Sequence, residues 1–346
     1  MKGFKRKMKI KRTSRQKEKL RKRLVPLTIL GLLVIGIIYQ QIGICYNASN
    51  LGRMGRLVDI DGVNMHLYES GNSDLPIVFT SDIGVNAPYV DLYPLHSALS
   101  KENRVMVYDR PGYGWSDCTS KSRDIDTICE EIHTLLHVDD VPGDEDTYLE
   151  PFIYVAQGMA SLEAIRYAQL YPEDVAGIVF IEGASPSFCS DYNNIMIIES
   201  FMTNALRNTG VLRLMKNSDF TKNTLNDNPE LSDELRHLNI GIGLEKNWNR
   251  NVIAEKLKVT DNADVILAAI EAGQTLGDIP IRVITSEANA YTTWPRTQKS
   301  LLSLSTDSAQ TMIQQSTTQI NKVDVPTILT TIEDLVTHIH EIREDY

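Results

Sequence analysis

Apolar and polar positions change rhythm several times along this chain. Residues 24–39 (LVPLTILGLLVIGIIY) carry no charge, and with the following QQIGIC they give 22 residues, 24–45, suited to one apolar helix. A helix of about 20 such residues crosses a bilayer. Pro26 then falls in the first turn, where its missing N–H does no harm. Gln40 and Gln41 fall near the far interface, where polar side chains cost little. Beyond residue 55 the pattern is that of a folded domain. Residues 56–70 place two short alternating runs on either side of Asp61-Gly62, a hairpin turn signal. Apolar runs at 76–84 (PIVFTSDIG), 104–109 (RVMVYD), 152–158 (FIYVAQG) and 176–184 (AGIVFIEGA) read as buried strands. Between them, residues 87–101 read as helical, and Ile125, Ile128, Ile132, Leu135 and Leu136 recur at helical spacing. Residues 161–175 predict a helix that stops before Pro172.

Strand–helix alternation of this kind predicts a parallel sheet covered on both faces, joined by right-handed crossovers. Residues 190–277 break the alternation with helical stretches around a loop-like polar segment, NSDFTKNTLNDNPELSDE. The alternation resumes at IPIRVITSE (279–287) and AQTMIQQS (309–316), and a last helix starts near Pro326. Helices inserted late in a doubly wound sheet suggest a lid.

Composition changes the picture little: 42% apolar and 23% charged residues are ordinary for a globular chain of 346 residues. The four cysteines, Cys45, Cys118, Cys129 and Cys189, lack metal-type or paired spacing, so neither a disulfide framework nor a metal site is expected. Charge is more informative. Residues 1–23 hold 13 Lys/Arg and one acid, Glu18, for +12; the whole chain is −10, so the rest carries −22. An acidic body is the wrong sign for a nucleic-acid partner. A basic leader before an apolar span instead sets topology. The positive-inside rule places 1–23 in the cytoplasm, 24–45 in the bilayer and the domain of residues 55–346 outside the cell membrane as a single-pass protein. The rival reading is a cleaved signal peptide. Such a segment ends in small residues before the cut, whereas in GICYNASN Ile44 stands where a small residue would be wanted before Cys45, and this favours an uncleaved anchor.

The order DGVNMHLYESG, PIVFTSDIG, DRPGYGWSD (109–117), FIYVAQGMASLEAIRYAQLYPEDVAGIVFIEGASP, IPIRVITSEANA, AQTMIQQSTTQI resembles the α/β-hydrolase fold family across about residues 55–345. The resemblance implies a mostly parallel doubly wound sheet with an inserted helical lid. No cofactor and no metal are expected, and the resemblance implies a triad whose nucleophile stands in a G-x-S-x-G turn between strand and helix. Here that turn reads Ala156-Gln157-Gly158-Met159-Ala160, so Gly158 matches the nucleophile position and offers no oxygen. Gln319 matches the histidine position, with Thr318 as the fallback alignment, and neither cycles a proton near neutral pH as imidazole does. Asn289 best matches the acid, with Glu287 close by. The oxyanion donors would be the backbone N–H groups of Ile83 and Met159, yet Ser81-Asp82 replaces the family's His-Gly. A carboxylate there opposes the charge that develops in acyl transfer.

Other groups near these positions are weak substitutes. Ser161, one turn into the helix, reads as a packing or capping residue, and Ser81 lacks an evident base. Cys189 reads as an inert thiol, Asp82 is the best of the weak alternative nucleophiles or bases, and Gln157 completes the pocket candidates. His338 and His340, in the terminal helix, read as surface residues. The expectation is a membrane-anchored hydrolase-fold protein without the usual chemistry, whose pocket binds a small apolar ligand or a protein partner. The alternatives are an active extracytoplasmic hydrolase of ester or amide type with a non-standard constellation, and a structural or assembly factor of the envelope.

Overall fold

Strands that are buried on both faces must be apolar throughout, and this is what organises the centre of the molecule. The structure, a computed structural model, describes residues 14–144, 147–192, 197–287, 293–313 and 324–344. Eight strands form one sheet in the order β1-β2-β4-β3-β5-β6-β7-β8. They are β1 (Arg56–Ile60), β2 (Val63–Ser70), β3 (Ile77–Thr80), β4 (Val105–Asp109), β5 (Phe152–Gln157), β6 (Val175–Ile181), β7 (Ile281–Ser286) and β8 (Ser308–Ile313). The pairs β1–β2 and β2–β4 are antiparallel and all others parallel. The β1–β2 hairpin turns on Asp61 and Gly62, both in the left-handed region at φ 54° and 82°. Two successive residues with positive φ make the tight turn that matches strand twist.

Alternation along the strands feeds two cores. From β5, Phe152, Tyr154 and Ala156 face the layer of α4 (Ile125–Leu136) and α5 (Ser161–Leu170), while Ile153 and Val155 face the other side. There Leu95 and Leu99 of α3 (Tyr93–Leu99), which follows the short α2 (Pro88–Asp91), pack with Ile328, Ile332, Leu335 and Ile339 of the C-terminal helix, α13 (Val325–Glu344). The apolar stripe of α4 falls on one face, and Asp124 caps it by accepting the Thr127 N–H at 3.0 Å. Burying a side chain of Ile or Leu size contributes roughly 1.5–3 kcal/mol, so each layer is secured many times over.

Between β6 and β7 the chain forms a helical insertion: α6 (Pro186–Ser190), α7 (Ile197–Asn208), α8 (Val211–Leu214), α9 (Asp219–Thr224), α10 (Asp233–Lys246) and α11 (Arg250–Glu271), after which α12 (Trp294–Leu302) separates β7 from β8. The segment expected to be loop-like contains α9 and the start of α10. Ser218 and Ser232 are their N-caps, accepting the Thr221 and Leu235 N–H groups. Local capping outweighs the polar composition there.

The N-terminal helix α1 (Ser14–Asn50) departs from expectation in two ways. It begins before the apolar run, because Arg, Lys, Gln and Glu are good helix formers. Pro26 therefore lies in the helix interior and not in its first turn. Nor does Gln40 sit free at an interface. It is buried, its Nε2 donating to the Leu244 carbonyl at 2.7 Å and its Oε1 accepting from Arg213 Nε at 3.0 Å. A polar side chain in an apolar helix satisfies itself on the insertion. Among the described residues, the stretch Arg21–Asn50 is the one helix long and apolar enough to cross a membrane, with a mean hydropathy of 2.0.

Candidate functional site

Loops after the C-terminal ends of parallel strands meet at one edge of the sheet, and four of the residues singled out in sequence, Asp82, Ile83, Gly158 and Met159, converge there. β5 ends at Gln157; Gly158 opens a single 3₁₀ turn, Gly158–Ala160, that feeds α5. Gly158 has φ +59°, a conformation that a side chain resists. Asp82 follows β3, and its carboxylate is turned toward Gly158. A Cβ built on Gly158 would lie 2.5 Å from Asp82 Oδ2 and 2.7 Å from Oδ1. Asp82 Oδ1 accepts two backbone N–H groups, from Ile83 at 2.7 Å and from Met159 at 2.8 Å. The amides of two different strand-end loops thus point at one oxygen.

Asp82 keeps some accessible surface, but its carboxylate is ringed by protein. Burial pushes it above the ordinary carboxylate range; the Met159 and Ile83 N–H bonds and the nearby charges of Lys256 and Arg110 offset this only in part. Lys256 comes from α11, with its Nζ 4.7 Å above the Tyr192 ring and 3.9 Å from Met159 Sδ. Trp248, also of the insertion, covers Gly84, where a Cβ would lie 3.0 Å from the indole. A small cavity of about 20 Å³ borders Ile83 and Met159 and reaches Arg110, Glu163 and Glu255.

The other residues singled out separate clearly. Ser161 Oγ lies 2.8 Å from the Gly158 carbonyl and 2.5 Å from that of Ala184, so it ties the turn to the end of β6. Ser81 is buried and its carbonyl accepts Arg110 Nη1 at 3.1 Å. Gln157 is buried at the end of β5, while Glu287 is exposed after β7. The Cys189 thiol, on α6, is buried and pushed up to about 12 by that burial and by the Asp82 charge, so it remains protonated. His338 Nε2 donates to Asp307 Oδ2 at 2.6 Å. Asp307 precedes β8, so this pair sits at the opposite edge of the sheet from Asp82. His340 lies on the same helix, α13. Asn289, Thr318 and Gln319 lie outside the described residues.

No family model matches the sequence. The chain is 32% identical over 158 residues to the uncharacterized protein YbdG of Bacillus subtilis (strain 168), covering 46% of this chain and 46% of that protein. Over 135 residues it is 30% identical to the non-heme chloroperoxidase of Streptomyces lividans, covering 38% of this chain and 46% of the other. The chain thus spans about half the length of these relatives. Among solved structures, it matches Cfl2 of Burkholderia cenocepacia with a TM-score of 0.61 at 17% identity, covering 81% of this chain and 94% of that one. An esterase from Thermogutta terrifontis gives 0.58 at 15%, covering 83% and 98%. The enol-lactonase of Burkholderia xenovorans LB400 gives 0.57 at 16%, covering 81% and 99%. The chain has the α/β-hydrolase fold.

Beneath the turn of this α/β-hydrolase fold lies a buried ionic network that pattern reading missed. Arg110 Nη1 donates to Thr80 Oγ1 at 2.9 Å and to Glu163 Oε2 at 3.1 Å, and its Nε lies 3.3 Å from Glu255 Oε2. Glu255 also accepts from Tyr113 Oη at 2.7 Å and lies 3.5 Å from Arg123, which in turn pairs with Glu131 at 2.7 Å. Tyr154 donates to Glu163 at 2.7 Å, and Tyr108 bonds to both. Glu163 was the available signal: a charge on a helix whose neighbours Leu162, Ala164 and Ile165 are all buried. The glycines of the DRPGYGWSD segment serve a related end. Gly114, at φ +45°, lets Asp109 approach so closely that a Cβ would fall 2.5 Å from its Oδ1, and Asp109 Oδ2 accepts the Trp115 N–H at 3.0 Å.

At the opposite edge of the sheet, His133, His137 and Asp174 bring three donor atoms within 4.8 Å of one another, near enough to hold a divalent ion. In this structure they bond among themselves. Asp174 Oδ2 lies 3.1 Å from His133 Nδ1, 3.0 Å from His137 Nε2 and 2.8 Å from Tyr167 Oη. The other His137 nitrogen meets Asp140 at 2.6 Å.

Proposed function

We propose that this chain is a bilayer-anchored α/β-hydrolase-fold protein in which the nucleophile and histidine positions, Gly158 and Gln319, have lost their chemistry. Asp82 supplies the observation that carries this reading. A hydrolase of this fold needs an empty pair of N–H donors beside its nucleophile, aimed at the place where an oxyanion forms. Here the Ile83 and Met159 N–H groups already bind a carboxylate, and that carboxylate occupies the space into which a residue-158 side chain would project. A fixed negative charge on the donors repels the developing oxyanion they would otherwise stabilise. Loss of the nucleophile compounds this: removing the serine or the histidine alone costs about 10⁶-fold in subtilisin, a serine hydrolase with the same triad logic.

The basic leader and the apolar helix support anchoring, with residues 1–23 cytoplasmic, 24–45 in the membrane and the main domain outside. The helices between β6 and β7 act as a lid over Asp82, contributing Lys256 and Trp248 to its surroundings. The site then serves recognition of a small apolar ligand or a protein partner.

A second reading is favoured by the same carboxylate. Asp82 stands where the fold's nucleophile side chain belongs, and an aspartate can attack as a nucleophile. Steady-state turnover of a panel of activated short-chain esters by the native chain separates the two. No turnover above a denatured control is expected. Turnover that vanishes in Asp82→Asn would establish the second reading instead.

A further inference from the structure

The insertion carries its apolar side chains on the wrong side for a water-facing surface. On α7, Ile198, Phe201 and Met202 are 65%, 51% and 62% exposed, and Ala205 continues the same face at helical spacing. A surface helix normally turns such a stripe toward the core. Leu214 and Met215, at the end of α8, and Phe220 of α9 are also exposed, with the exposed charges of Lys216 and Asp219 between them. Monomeric proteins in water rarely leave so many large apolar groups together without a partner.

The helix α1 shows what that partner is. Its residues Gly36, Gln40, Gly43 and Asn47 recur at spacings of four, three and four, and so form one stripe. This stripe packs on the insertion. Gly36 is in backbone contact with Thr209 and Gly210, between α7 and α8, and Gly43 lies against Arg213. Gln40 bonds to Leu244 and Arg213, and Asn47 Nδ2 donates to the Gly241 carbonyl at 2.9 Å. The remaining faces of the apolar run stay bare: Leu27, Leu30, Ile35 and Ile38 are each more than half exposed.

Depth follows from helix rise. Nine residues separate Gly36 from Cys45 at the outer end of the span, which is about 14 Å at 1.5 Å per residue. The hydrocarbon core is about 30 Å thick. A contact between Gly36 and Thr209 therefore sets the junction of α7 and α8 far inside the boundary at residue 45. We propose that the α7–α9 face, with Phe201, Met202, Leu214 and Phe220, is embedded in the acyl chains of the outer leaflet beside α1. The inference rests on the anchoring reading and extends it: the insertion is the second membrane-contacting element, and the element over Asp82 is the one that touches lipid.

Spin labels on the full-length chain in phosphatidylcholine–phosphatidylglycerol nanodiscs test this, with Cys45→Ser and Cys118→Ser removing the two exposed thiols. Labels are placed one at a time through Ile35→Cys, Phe201→Cys, Phe220→Cys and Val138→Cys, the last on the far side after α4. Collision with oxygen is compared with collision with a water-soluble nickel chelate. Oxygen is expected to dominate at positions 35, 201 and 220, and the chelate at 138. Chelate dominance at 201 and 220 with oxygen dominance at 35 would overturn the inference and leave anchoring intact. Chelate dominance at 35 would overturn both. Protection of 201 and 220 from both reagents would assign the face to protein, and spin–spin broadening there would identify a second copy of the chain; either result overturns lipid as the occupant.

Discussion

Gly158→Ala adds one methyl group at the place where the account puts most weight. Two costs arise. Alanine in the left-handed region at φ +59° costs about 1–2 kcal/mol. Its Cβ would also lie 2.5 Å from Asp82 Oδ2, so the carboxylate must move away from the Ile83 and Met159 amides. Hydrogen bonds to a charged group contribute about 1.5–3 kcal/mol each, and weakening both by half gives a similar amount again. The total is about 3–5 kcal/mol, a large part of the roughly 5–15 kcal/mol that stabilises a typical protein. In an Asp82→Ala background the second cost disappears and only the backbone cost remains. The coupling between the two sites is then about 2–3 kcal/mol, well above the few tenths expected of independent sites. Urea unfolding of the full chain in micelles, followed by tryptophan fluorescence, measures all four corners of the cycle. If Gly158→Ala costs the same with and without the Asp82 carboxylate, that carboxylate does not occupy the space at residue 158, and the reasoning fails.

Asp82→Asn keeps an oxygen for the two amides and removes the charge. Because the folded carboxyl is held above its ordinary range, its favourable contribution is present below that range and fades as pH rises through the raised value. The asparagine variant is therefore expected to gain stability on the native chain as pH rises above the ordinary carboxylate range; a constant difference would contradict this. Glu255→Ala leaves Arg110 and Arg123 buried with fewer counter-charges and is expected to destabilise by about 3–5 kcal/mol in the same unfolding assay. Burial alone would lower the His137 imidazole, but its hydrogen bonds to Asp174 and Asp140 raise it above its ordinary value. Its contribution is complete below that ordinary value and lost as pH rises through the folded one. The stability gap between native and His137→Ala should accordingly shrink as pH rises above the ordinary imidazole value of about 6.5.

The central strands were legible because a strand buried on both faces has no alternating polar residues to obscure it. β3 to β6 read directly from their apolar runs, and α4 read from the spacing of Ile125, Ile128, Ile132 and Leu135. The turn at Gly158 was legible through the resemblance of Ala156-Gln157-Gly158-Met159-Ala160 to the family's strand-to-helix turn. What its surroundings do was not. The Met159–Asp82 bond joins residues 77 apart, and no local pattern encodes which way a carboxylate turns. The partners of the α1 stripe lie about two hundred residues away, and Gln40 therefore read as an interfacial residue. Pro26 misled in the same way: the helix-forming charged leader extends α1 upstream of it. In the insertion, Ser218 and Ser232 as caps determine helices where composition suggested a loop. The ionic network under the turn depends on Glu255, which comes from α11 in the insertion and meets Arg110 only in the folded chain.

The most direct test of the account is covalent labelling of the purified full chain by a fluorophosphonate, read by intact-protein mass spectrometry. The native chain is compared with a variant carrying Asp82→Gly, Gly158→Ser and Gln319→His, which clears the carboxylate and puts a serine and a histidine at the proposed nucleophile and base positions. The native chain is expected to remain unlabelled, and the triple variant to gain one phosphonate on residue 158. Stoichiometric labelling of the folded native chain, abolished by denaturation, would show that a reactive nucleophile survives and would contradict the central claim.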